Sequence, residues 1–181
     1  KATWFVCIPH SREKFYPQSY HRSAMIIDVV VASTSRFSRF GSARSPEEAD
    51  DLSGQLILER IKAAGHIARY SLLPDGLDLK QVAEKSDADA LIFCGGTGLT
   101  KSDLTLEALE PLFEKSLPGF GEIFRYRSLK EVGTRAMLTR AAAGIYHGRP
   151  IFCLPGSPGA ARLGMDLILP ELGHIIGHIR E

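Results

Sequence analysis

The chain has 181 residues, 44% of them hydrophobic, with a formal net charge of +1, which suits one compact domain able to bury roughly 70% of the surface its unfolded form exposes. No apolar run approaches the roughly 18 to 20 residues that span a bilayer, and WFVCI at 4–8 is too short for a signal peptide's apolar region; a soluble, cytoplasmic protein with no membrane partner is expected. Cys7, Cys94 and Cys153 form no CxxC pair, which fits a reducing compartment and argues against a zinc site.

The charge is unevenly spread. Residues 1–44 carry Lys1, Arg12, Lys14, Arg22, Arg36, Arg39 and Arg44 against only Glu13 and Asp28. A basic, aromatic-bearing arm could suit nucleic acid, but the charges form no concentrated patch, so no nucleic-acid partner is expected. Residues 1–25 contain Pro9, Pro17 and no sustained hydrophobic period, and read as an irregular arm before a single domain over 26–181. IIDVVVAS at 26–33 is a nearly continuous apolar, β-branched run, the pattern of a strand covered on both faces. STSRFSRFGSAR, 33–44, reads as a polar loop.

A helix signal follows. Ser45 can cap, Pro46 suits the first helical position and Glu48 completes a capping box; Leu52, Leu56, Ile57 and Ile61 supply an apolar stripe, and Gly65 a stop. Gly54 can split this segment, leaving a loop and a shorter helix from about Asp51. Residues 66–72 read as a second strand, LPDG as a turn, 77–86 as a helix and ALIFC at 90–94 as a third strand. RPIFC at 149–153 echoes that IFC ending, and Ser157 and Pro158 can open a helix as cap and first residue. The fold class expected is α/β: a doubly wound, mostly parallel sheet with helices on both faces. Two buried strands then end in glycine loops at the carboxyl edge, where open sheets bind ligands.

The first loop, GGTG, comprises Gly95, Gly96, Thr97 and Gly98. Three glycines permit positive φ, so successive backbone N–H groups can converge on an anion such as phosphate. A ligand-free strand-to-helix turn would use the same residues. Lys101 and Ser102 follow Thr100 rather than glycine, so this is no P-loop, and the Rossmann GxGxxG is missing too. Asp103 lies five residues beyond Gly98, and Thr105 can cap the helix LEALEPLF. A carboxylate beside a phosphate nest would repel its ligand unless a cation lay between them, so Asp103 suits holding Mg²⁺ or orienting a nucleophile. Asp75, in LPDG, is an ordinary turn residue by composition but shares the predicted sheet edge with Asp103. Asp51 and Ser53 in DDLSG could reach a ligand hydroxyl or phosphate, or simply start a helix. His174 and His178 are spaced like half of an HExxH motif, but Ile175 stands where the glutamate belongs and no third ligand is evident.

Taken in order, GGTGLTKSDLT, LPGFGEIFR, the TRA of 139–141 and LPGSPGA resemble the MogA/MoaB family of molybdenum-cofactor biosynthesis, with a match from about Ile26 to the C-terminus. The resemblance implies a doubly wound α/β domain assembled as a trimer or as paired trimers. It implies adenylylation of molybdopterin by Mg-ATP, in which the terminal phosphate of molybdopterin attacks the α-phosphorus of ATP and pyrophosphate leaves. A molybdate-insertion enzyme is the partner it implies downstream. The family's acidic residues fall on Asp75 and Asp103, implied as Mg²⁺ ligands and catalytic residues. Its substrate loops fall on Gly95 to Gly98 and on Pro155, Gly156, Ser157 and Pro158. Where relatives often read SDR after the first strand, this chain has Ser35 followed by Arg36, which could itself meet a phosphate; this form and the long arm look more like the MoaB branch. A non-catalytic molybdopterin or nucleotide carrier would use the same loops without releasing pyrophosphate.

Overall fold

The computed structural model describes residues 24–181 apart from Leu77; the arm expected over 1–25 lies almost wholly outside the described residues. In chain order the elements are β1 (Ile26–Ala32), α1 (Thr34–Phe40), α2 (Leu52–Ala63), β2 (Ile67–Leu73), α3 (Leu79–Lys85), β3 (Ala90–Cys94), α4 (Thr105–Leu109), β4 (Lys115–Ser116), α5 (Pro118–Val132), β5 (Ala142–Tyr146), β6 (Arg149–Leu154) and α6 (Pro158–Arg180). The six strands form one sheet in the order β2-β1-β3-β6-β5-β4. Pairing is parallel from β2 through β1 and β3 to β6, and β5 runs antiparallel to both its neighbours. This is the mostly parallel sheet that the sequence pattern predicts.

Strand alternation sends side chains to two separate cores, one on each face. Ile27, Val29 and Val31 pack with Ile57 and Ile61 of α2 and with Ile168 and Leu172 of α6. Val30, Ala32, Leu91 and Phe93 pack with Leu79 and Ala83 of α3 and Leu109 of α4. Every residue of β3 is buried, which is why ALIFC shows no polar alternation. The chain leaves β1 for β2 on one side and crosses back to place β3 on the other, so the strand order reverses between β1 and β3. A crevice opens at their carboxyl ends.

The helix signal at 45–65 resolves as its split form. A single 3₁₀ turn spans Glu47–Ala49, Asp50 takes a left-handed conformation with φ 49°, and Asp51 then caps α2. Gly54 lies inside α2; its amide donates to the Asp51 carboxylate at 3.1 Å. The segment 33–44 read as a polar loop is instead largely α1, capped by Ser33 and ended by Gly41 at φ 68°. Its polar appearance follows from burying no residue completely, so no continuous apolar stripe marks it. Between 115 and 148, where the pattern assigns no element, α5 and a two-residue hairpin turn at His147 and Gly148 build the sheet's antiparallel edge; both turn residues have positive φ.

Candidate functional site

At the β1/β3 switch, three loops meet in a cleft of about 810 Å³ lined by Ser33 to Arg36, Asp75, Gly95 to Gly98, Asp103 and Pro155 to Ser157, among others. Close backbone approach sets its floor. An added Cβ on Gly95 would lie 2.2 Å from the Ala32 carbonyl, and one on Gly156 would lie 3.3 Å from Gly95 Cα. Both glycine loops therefore face one site, because any side chain there would force β1, β3 and β6 apart. Gly95 and Gly96 take φ values of 107° and 60°, the left-handed region that orients successive amides toward one side.

Asp75 is fixed from across the crevice. Its Oδ2 accepts from the Thr34 amide at 2.9 Å and the Thr34 hydroxyl at 3.0 Å, while the Asp75 amide donates to Thr34 Oγ1 at 3.1 Å. The second oxygen, Oδ1, is buried without a hydrogen-bond partner and lies 2.3 Å from where a Cβ on Gly96 would stand. An unsatisfied buried carboxylate oxygen is expensive, so its placement against the glycine loop points to a cationic or donor ligand there. Asp103 is held differently: its Oδ2 accepts from the Thr100 amide at 2.8 Å and the Thr100 hydroxyl at 2.5 Å. That hydroxyl is the main reason its carboxyl sits below the usual carboxylate range. Asp103 faces Gly98, where an added Cβ would come within 2.7 Å of its Oδ2.

Both carboxylates line the cleft, Asp75 packed against Gly96 and Asp103 against Gly98, and carboxylate oxygens are the donor type of a hexacoordinate Mg²⁺ that takes one or two protein oxygens and completes its shell from substrate phosphates and water. Among the described residues there is no cluster of three or more His, Cys, Asp or Glu able to hold a metal unaided. His174 and His178 bring their Nε2 atoms within 3.1 Å of each other on the exposed end of α6. Buried Cys94 borders the cleft, and desolvation pushes its thiol up to about 12, so it is a neutral wall rather than a nucleophile.

Of the sequence candidates, Thr105, Ser53 and Asp51 fasten the cleft without lining it, whereas Thr97, Ser157 and Ser35 line it. Thr105 is the first residue of α4, not its cap: fully buried, it donates its hydroxyl to the Gly95 carbonyl at 2.8 Å, and its amide donates to the Gly96 carbonyl at 3.0 Å. Ser53 donates to the Gly156 carbonyl at 2.8 Å, tying α2 to the second glycine loop. Asp51, 2% exposed, accepts from Gly54 and, at 2.9 Å, from the Tyr70 hydroxyl; burial, with this carboxylate second, raises the Tyr70 pKa. Thr97 borders the cleft but is only 4% exposed. Ser157 caps α6 by accepting from the Ala160 amide at 3.2 Å, and Ser35 stands beside Ser33 at 3.4 Å.

Two contributors escape sequence reasoning. Thr34, which clamps Asp75, sits in the segment read as a loop. Arg140 donates through Nε to the Thr97 carbonyl at 3.1 Å, through Nη1 to Glu107 at 2.6 Å and through Nη2 to the Asp103 carbonyl at 3.4 Å. It thereby holds both ends of the GGTG-to-Asp103 loop from outside. The TRA motif contains it, but nothing in the local pattern says which way its side chain runs.

Residues 28–174 match the model of the probable molybdopterin binding domain. The chain is 42% identical over 149 residues to a probable molybdopterin adenylyltransferase of Methanocaldococcus jannaschii, covering 80% of this chain and 89% of that protein. It is 46% identical over 136 residues to the molybdenum cofactor biosynthesis protein B of Bacillus cereus, covering 71% and 80%. The solved structure of the tungsten cofactor synthesizing protein MoaB of Pyrococcus furiosus superimposes with a TM-score of 0.75 at 37% identity, over 89% of this chain and all of that one.

Proposed function

The chain belongs to the family of probable molybdopterin-binding domains, and from that premise we propose that its cleft adenylylates molybdopterin. A phosphate oxygen of molybdopterin bonds to the α-phosphorus of ATP, the bond from that phosphorus to the β-phosphate bridging oxygen breaks, and pyrophosphate departs with the electron pair. The observation that carries this reading is the buried, unpartnered Asp75 Oδ1 set against a glycine loop of positive φ in one cleft with Asp103. A phosphoryl-transfer site needs cations to neutralise its phosphates, and carboxylates beside the phosphate loop are what would hold them.

Asp75 and Asp103 would hold Mg²⁺, which supplies neutralisation of phosphate charge. The attacking phosphate is already anionic, so the chain's residues need supply no strong base; what they contribute is alignment. The Gly95 to Gly98 amides bind a phosphate, Thr34 and Thr100 hold the two carboxylates in place by hydrogen bonds, and the Gly156 and Ser157 loop closes the opposite wall. The homo-oligomer we propose, a trimer or hexamer, is supported by apolar side chains left exposed along α5 and the turn after it: Ile123, Tyr126, Leu129, Val132, Met137 and Leu138. No helix among the described residues is long and apolar enough to cross a membrane.

The test incubates the protein with molybdopterin and Mg-ATP and follows pyrophosphate and adenylylated pterin together. Both should appear with wild type. Asp103→Asn should keep the fold and lose at least about a hundredfold in turnover, the scale of removing one electrostatic contribution to phosphoryl transfer. Full activity in that variant sinks the assignment of Asp103, and tight pterin binding by wild type with neither product returns the carrier reading.

A further inference from the structure

Arg36 is the one cationic side chain among the described residues lining the cleft, which otherwise presents the carboxylates Asp75 and Asp103. Its guanidinium differs from those that knit the fold together. Arg60, Arg69, Arg140 and Arg180 each place a nitrogen within 2.8 Å of a carboxylate oxygen, and Arg149 donates to the carbonyls of Ala83 and Ser86. Arg36 is 36% exposed, and its charged neighbour is Asp51 at 4.0 Å, beyond hydrogen-bond reach. Asp51 in turn cannot wander: it caps α2 through Gly54, takes the Tyr70 hydroxyl and is completely occluded from solvent. A buried carboxylate at that distance is weakly screened, so it attracts the guanidinium without using up its fork.

We propose that Arg36 is a phosphate-binding side chain of the cleft, with Asp51 as its positioning residue. The ligand is a phosphoryl group, either of the nucleotide's polyphosphate or of the pterin's terminal phosphate; the proposal rests on the adenylylation reading for those sources. Guanidinium presents two parallel N–H donors that match two phosphate oxygens, and it stays protonated at every working pH. The cleft needs that charge, since it brings polyanions next to two carboxylates. The DDLSG segment thereby gains a role on both sides of the cleft, because Asp51 aims Arg36 while Ser53 fixes the facing loop.

The experiment titrates wild type, Arg36→Met, Arg36→Lys, Asp51→Asn and the Arg36→Met/Asp51→Asn double variant with pyrophosphate, ATP and molybdopterin separately, by calorimetry with Mg²⁺ present, alongside thermal unfolding of each. Arg36→Met should weaken at least one of these ligands tenfold or more with an unchanged melting temperature, and Arg36→Lys should recover part of the loss. Weakening of pyrophosphate and ATP assigns the nucleotide; weakening of molybdopterin alone assigns the pterin phosphate. Asp51→Asn should weaken the same ligand as Arg36→Met, and should add nothing once Arg36 is gone. Affinities for all three ligands unchanged in Arg36→Met, or an equal further loss from Asp51→Asn in the Arg36→Met background, overturns the proposal. Because binding is read without turnover, Arg36-dependent binding in a protein that forms no adenylylated pterin would leave this inference standing while removing the catalytic one.

Discussion

Replacing Thr105 with valine exchanges a fully buried hydroxyl for a methyl of similar size, and the hydroxyl is the donor that the Gly95 carbonyl accepts at 2.8 Å. The net worth of such a bond is about 0.5 to 1.5 kcal/mol, and leaving the carbonyl buried without its donor raises the cost to about 1 to 3 kcal/mol. In a chain of this size each kcal/mol lowers the melting temperature by roughly 2 to 4 °C, so a fall of about 2 to 12 °C is expected. Thr105→Ser keeps the donor and removes one methyl, costing about 1 kcal/mol. Thermal unfolding followed by circular dichroism, paired with the KM for ATP, reads both consequences, because a Gly95 freed from α4 no longer holds its amide in register. A Thr105→Val protein that melts with wild type would refute the claim that this bond fastens the loop. One less damaged than Thr105→Ser would show that the methyl contact, not the hydroxyl, holds it.

Gly96→Ala should damage both stability and function: φ of 60° alone costs an alanine about 1 to 2 kcal/mol, and its Cβ would stand 2.3 Å from Asp75 Oδ1 and 2.4 Å from the buried Thr105 hydroxyl and must displace both, so the melting temperature should fall and steady-state kcat/KM should fall at least about tenfold. Glu107 has its carboxyl held below the ordinary value, first by the hydrogen bond from Arg140. Its contribution to stability is therefore fully present above the ordinary carboxylate range and lost as pH falls through the lowered folded value. Denaturant unfolding should show wild type more stable than Glu107→Gln at about pH 6, with the gap closing toward about pH 3; a gap that widens on acidification contradicts the pairing. Gly144→Ala would drive a Cβ to 2.2 Å from the Phe113 ring and should cost about 1 to 3 kcal/mol by overpacking, with kcat kept, since the β4–β5 edge lies away from the cleft.

The parallel half of the sheet was legible because buried β-branched runs, glycine stops and capping residues all point the same way over residues 26–33, 66–72, 90–94 and 149–153. So were the two glycine loops, whose close approach only glycine permits. Legibility stopped where local pattern and tertiary role part company. STSRFSRF has no apolar stripe, so α1 is invisible, and with it Thr34, whose amide and hydroxyl make Asp75 more than a turn residue. The antiparallel edge was silent as well: β4 has two residues, both exposed, too few for any period to show.

The polar residues of DDLSG show why a motif identifies a site more readily than it identifies the atoms that touch a ligand. A carboxylate and a hydroxyl two residues apart at a sheet's carboxyl edge have the chemistry of ligands, and sequence offers no reason to deny them that role. In the folded chain Ser53 is committed to the Gly156 carbonyl and Asp51 to an amide and a phenol. Buried polar groups that hold a loop must satisfy their own hydrogen bonds, so their partners are already taken. A group meant for a ligand is recognised by the opposite sign, a bond left unmade. Asp75 Oδ1 and the unforked Arg36 carry that sign, one a lone acceptor and the other a pair of donors, and both line the cleft that opens where the strand order reverses. Opposite charge on a shared surface would be wasteful in a passive turn, but it is what a site must have if it is to hold a cation and a polyanion together.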